Sequence, residues 1–139
     1  MHDLRVEAFV ADAVEAVNGK LYALGMGWNR LVARGTFPLV HHNLGVGVVV
    51  HVPYSMTNEH RTIGLAVIDQ DGTDVVRRIN GSFTIGRPPD LEPGDEQVVA
   101  LAFNLQGMTF PAPDLYAIVV SVDGDEKCRL PLRVRAAPG

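Results

Sequence analysis

A chain of 139 residues and 15.0 kDa, 47% hydrophobic and 20% charged, is sized and composed for one folded domain spanning residues 1–139. A domain of this length buries roughly two thirds of its unfolded surface and needs no metal or disulfide to hold it together. Twelve Lys and Arg against sixteen Asp and Glu give a net charge of -4, which repels a phosphate backbone, so nucleic acid is not an expected partner.

No apolar run reaches the roughly 18 residues that would cross a bilayer. The start, MHDLRVEAFVADAVEAV, interleaves acidic residues with apolar ones and lacks the pattern of a signal peptide. No membrane association is expected, and a cytoplasmic location is. Cys128 stands alone, which forbids an intramolecular disulfide. Ten of the twelve basic residues are arginine, and with abundant Ala, Val and Gly this points to a GC-rich bacterial genome.

In chain order, Leu4 to Val10 alternates with period 2 and predicts a strand. Asp12 to Val17 fits either a strand or a helical turn, since Ala13, Val14, Ala16 and Val17 suit both periods; a short helical turn is the expectation. Asn18-Gly19 marks a turn into Lys20 to Trp28, where Tyr22, Leu24, Met26 and Trp28 share one face and glycines on the other invite close packing. A short strand, RLVAR, follows within Asn29 to Thr36.

Leu44 to Val52 is apolar on nearly both sides, the mark of a strand in mid-sheet. Tyr54 to His60 reads as a polar loop, Arg61 to Ile68 as a strand, and Asp69-Gln70-Asp71-Gly72 as a turn. Within Asp74 to Ile85, Asn80-Gly81 marks a bulge or a break. The proline-rich GRPPDLEPGD, Gly86 to Asp95, predicts an irregular crossing that changes sheets.

Val98 to Leu105 resumes the strand pattern, and Gln106 to Asp114 leads into a final hairpin turning at Asp123-Gly124. There Cys128, Leu130, Leu132 and Val134 alternate with Arg129, Pro131, Arg133 and Arg135. Pro131 cannot donate to a neighbouring strand, which puts the last strand at or near a sheet edge. The sum is an all-β fold, an antiparallel β-sandwich of about seven to nine strands, immunoglobulin-like or jelly-roll-like, with at most one short helical turn.

Reactive constellations are sparse. His41, His42, His51 and His60 fall within 20 residues and raise a metal-dependent enzyme as a third possibility, but adjacent histidines diverge and no HExxH or HxH spacing fixes two ligands on one face, so no metal is expected. Acidic turns at Asp69, Asp71 and Asp74, at Asp90, Glu92 and Asp95, and at Asp123, Asp125 and Glu126 could offer oxygens to Ca²⁺, yet turns recruit aspartate for its own backbone hydrogen bonds. There is no GxSxG elbow, P-loop or GxGxxG fingerprint, and no cofactor is expected. Arg77, Arg78, Arg129, Arg133 and Arg135 suggest a basic strip on an outer face.

The segments LRVEAFVADAV, NGKLYALGMGW, VHVPY, FTIGRPPDLEPGD, LAFNLQGMTFPAPDLYAIVVSVDG and LPLRV together resemble a functionally uncharacterised family of small single-domain bacterial proteins common in high-GC organisms. The resemblance runs over nearly the whole chain and implies an intact single domain; it carries no catalytic residues with it.

The expected function is therefore non-catalytic, through protein contacts in a homo-oligomer or assembly, motivated by central strands that are apolar on both sides. The alternative is a small-molecule or carbohydrate-binding module using Trp28 and Tyr22. Candidate binding residues are Tyr22, Trp28, His42 and His51.

Overall fold

The computed structural model describes residues 3–138. Nine strands form two sheets: β1 (Arg5–Val17), β2 (Lys20–Met26), β3 (Arg30–Ala33), β4 (Leu39–Pro53), β5 (His60–Ile68), β6 (Ile79–Thr84), β7 (Glu96–Phe110), β8 (Asp114–Val122) and β9 (Asp125–Ala136). The first sheet has the order β2-β1-β4-β7 and the second β3-β9-β8-β5-β6.

Apolar alternation drives this arrangement. Val46, Val48, Val50 and Val52 of β4 are fully buried and meet Leu65, Val67, Ile118, Val120, Leu132 and Val134 in one core between the sheets. Each such side chain contributes about 1.5–3 kcal/mol by leaving water. The Gly86–Asp95 segment carries the chain from β6 in one sheet to β7 in the other, as its prolines suggest.

The strands pair antiparallel with one exception, β3, which runs parallel to β9 through Arg30↔Arg133 to Ala33↔Ala136. A short strand that crosses over to pair parallel with the last strand, beside a β1-β4-β7 sheet, makes the sandwich immunoglobulin-like. Tyr116 adds a second sign: near the start of β8 it donates its hydroxyl to the Ala112 carbonyl upstream, the tyrosine-corner arrangement of such sandwiches. The last strand is one position in from the edge, because β3 covers its outer side.

Three local expectations are corrected. Asp12 to Val17 is not a helical turn but the continuation of β1, because Asn18 (φ 51°) and Gly19 (φ 75°) close a two-residue turn that pairs it with β2 from Ala11↔Met26 to Val17↔Lys20. The one helical turn among the described residues is a 3-10 turn at Tyr54–Met56, in the stretch read as a loop. Asn80-Gly81 neither breaks nor bulges β6, which pairs evenly with β5 from His60↔Thr84 to Leu65↔Ile79. No helix among the described residues is long and apolar enough to cross a membrane.

Candidate functional site

The first hairpin leaves the sheet that it starts in. β1 pairs with β4 only from Arg5↔His51 to Ala11↔Gly45, whereas β4 runs on to Leu39 beside β7. Beyond Ala11 the β1 backbone rises over the outer face. Gly45 permits this, since a Cβ there would stand 3.0 Å from the Ala11 carbonyl oxygen and 3.2 Å from Ala13 Cα. Gly47 likewise makes room for the Phe9 ring. The glycines that make β4 apolar on both sides are thus covered from within the chain, so β4 itself supplies no argument for a second copy.

Two asparagines hold the raised hairpin down. Asn104 Nδ2 donates to the Val14 carbonyl at 2.8 Å while its Oδ1 accepts from the Val14 N–H at 3.2 Å, so one side chain satisfies both backbone polar groups of Val14. Asn43 Nδ2 donates to the Asp12 carbonyl at 2.7 Å and reaches Asn104 Oδ1 at 3.1 Å. Asp12 in turn lies where a side chain at Gly25 (φ 62°) would be, which is the close packing that the glycines of β2 foretold.

Under this arm lies an open groove of about 870 Å³ with Asp12 to Glu15 and Tyr22 to Leu24 on one side and His42, Asn43, Asn104 and Gln106 on the other. Asn43 Oδ1 is buried there with no hydrogen-bond partner among the described residues. Along β2, Tyr22, Leu24 and Met26 project on one face and are 57%, 73% and 56% exposed. β2 is also an edge strand, with no strand on its outer side among the described residues.

Of the residues singled out from sequence, Tyr22 and His42 share this groove. Trp28 does not join them. The positive φ of Gly25 and Gly27 turns the chain away after Met26, and the indole packs against the core, donating to the Gly25 carbonyl at 2.7 Å and meeting His41 edge-on at 6.2 Å. His51 lies elsewhere on the same sheet face, 2.6 Å from Glu7 and 3.6 Å from Glu96. Hydrogen bonding to His51 is the main reason that the Glu7 carboxyl titrates below its ordinary range. His60 contacts Thr84 at the end of the other sheet. Among the described residues no three His, Cys, Asp or Glu gather around a point that could hold a metal.

Two of the acidic turns serve their own backbone, and the third ties its hairpin to β5. Asp69 Oδ1 accepts from the N–H groups of Asp71 and Thr73 at 2.9 Å, Asp95 accepts from Glu92 at 2.9 Å, and Asp123 accepts from Thr62 at 3.0 Å. Asp123 is also paired with Arg61 at 2.8 Å, which is the largest cause of its lowered pKa. Cys128 is half-buried against the core, and that burial raises its thiol pKa.

Leu24, Asn43 and Asn104 were not identified from sequence as site residues. Asparagine is depleted in strands, so one in the middle of a pattern such as LAFNLQ is the signal that could have exposed the asparagine pair.

Comparison with curated proteins finds no match for the chain. A family profile described as a family of unknown function matches residues 7–135, which takes in all but the first two residues of β1, the whole hairpin arm, both asparagines and every later strand except the last residue of β9. The chain therefore belongs to that family, DUF6941.

Proposed function

We propose that the protein is a non-catalytic, cytoplasmic β-sandwich that works by self-association, the β2 strand of one copy pairing antiparallel with β2 of a second across a two-fold axis. Its support is the outer side of β2, an unpaired edge bearing Tyr22, Leu24 and Met26 in one exposed row. Natural edges are usually blunted with lysine, proline or inward-pointing charge; β2 carries only Lys20, at its turn end, and Leu21 to Met26 contains none of these. A second copy suits this edge because antiparallel pairing of a strand with itself sets Tyr22 and Leu24 beside their counterparts on one face, merging two apolar rows into one.

Sedimentation equilibrium of the native chain and of Leu24→Lys tests this. Leu24 is 73% exposed, so burying it in both copies contributes about 2–4 kcal/mol, and the substitution weakens the dimer about 30- to 1,000-fold. A native chain that stays monomeric at high concentration removes the proposal.

A second reading is favoured by the groove, whose Tyr22 ring and unpartnered Asn43 Oδ1 would suit a small polar molecule or sugar. Calorimetric titration with sugars, repeated on Tyr22→Ala, tests it: binding lost in the variant supports the reading, and no binding to the native chain removes it.

A further inference from the structure

We propose that the cleft where β3 meets β9, on the outer face of the second sheet and so on the sheet that does not carry the hairpin arm, is a phosphate-binding site built from Arg30, Arg133 and Arg135. The cleft holds about 300 Å³ and is lined by these three arginines with Asn29, Leu115 and Pro131. Arg30 and Arg133 are directly opposite in the parallel register, and Arg135 is two residues further along the same face of β9.

Most other cations of the chain are occupied. Arg5, Arg61, Arg78, Lys127 and Arg129 each reach a carboxylate at 2.7–3.0 Å, and Arg87 lies over the Tyr54 ring at 4.0 Å. Arg30, Arg133 and Arg135 reach no carboxylate among the described residues, although the sequence holds sixteen Asp and Glu. Like charges set directly across a sheet destabilise it. A dianion offsets that repulsion, and the guanidinium fork matches phosphate oxygens in pairs.

Edge protection does not account for the cluster. A single arginine on β3 would serve that purpose, but Arg133 and Arg135 are on β9, which β3 already covers. The positions are also fixed: the Arg133 N–H donates to the Asn29 carbonyl at 2.9 Å and the Ala137 N–H to the Ala33 carbonyl at 2.8 Å, locking β3 to β9 at both ends. Leu115 and Pro131 add an apolar wall against which an organic group esterified to the phosphate would rest.

The test is a titration at about pH 7.5, where a phosphate monoester is largely dianionic, with inorganic phosphate and with phenyl phosphate, each against sodium chloride at matched ionic strength. Thermal midpoint and calorimetric heat are the readouts. Saturable binding that Arg133→Gln weakens about tenfold or more, and that Arg77→Gln on another part of the surface leaves unchanged, is the expected result. Should Arg133→Gln fail to fold, Arg30→Gln on the exposed edge strand carries the same expectation. Tighter binding of phenyl phosphate than of inorganic phosphate assigns the site to an organic phosphate, and equal binding to the free anion. No saturable effect beyond that of chloride, or native-strength binding by the folded variants at Arg30 and Arg133, overturns the proposal.

Discussion

Replacing Asn104 with alanine cuts the contact that ties the hairpin arm to the sheet beneath it. Two hydrogen bonds to the Val14 backbone N–H and carbonyl, at 3.2 and 2.8 Å, are lost at once, together with the 3.1 Å contact to Asn43. A typical hydrogen bond contributes about 0.5–1.5 kcal/mol net, and water at this exposed side chain recovers part of it, so the cost is about 1–2 kcal/mol. Because the core between the sheets is untouched, this loss falls on the arm: hydrogen exchange from Asp12 to Met26 accelerates about 5- to 30-fold, while β5, β8 and β9 exchange as before. Exchange resolved by peptide or by residue measures it. Unchanged protection in the arm, or an equal loss across both sheets, would refute the asparagine pair as a local anchor.

Other substitutions probe separate parts of the same account. Gly45→Val drives a side chain into the β1 backbone and costs about 1–3 kcal/mol in urea unfolding, whereas Gly35→Ala, with nothing within 4 Å of its added methyl, stays within about 0.5 kcal/mol. Asp3, Glu7, Asp123 and Glu126 all have lowered pKa values, each through a hydrogen bond to Lys127, His51, Arg61 and Arg129 respectively. A carboxyl with a depressed folded pKa contributes stability that is complete above its unfolded value and is lost as pH falls through the folded one, so stability holds from neutral pH down to about pH 5 and declines below about pH 4. Asp123→Asn keeps the positive-φ turn, since asparagine tolerates φ 53°, and makes that acid decline shallower in a pH series of urea midpoints.

Much of the fold was legible because its cause is local. Alternation in Leu4 to Val10, Arg61 to Ile68 and Cys128 to Val134 reports burial on one face, and the Asn18-Gly19 and Asp123-Gly124 dipeptides report turns with positive φ. Asp12 to Val17 was misread because four apolar residues in six satisfy both periods, and only pairing with β2 decides between them. The two-sided apolar run of β4 was read correctly as a central strand, but its second face turned out to be covered by Phe9 and the β1 backbone. Candidate site residues were less legible. Tyr22 and His42 come together only because β1 leaves the sheet at Gly45, a bend set by contacts across about 30 residues of sequence and invisible to any single window. Trp28 looked like a continuation of the Tyr22 face by parity, and two positive-φ glycines break that parity.

Hydrogen exchange of the β2 amides as a function of protein concentration tests self-association through this edge most directly. Pairing with a second copy predicts that protection from Lys20 to Gly25 rises with concentration in step with the sedimenting mass, while that of β5 and β8 stays constant. Protection of β2 that is the same in dilute and concentrated protein would contradict it.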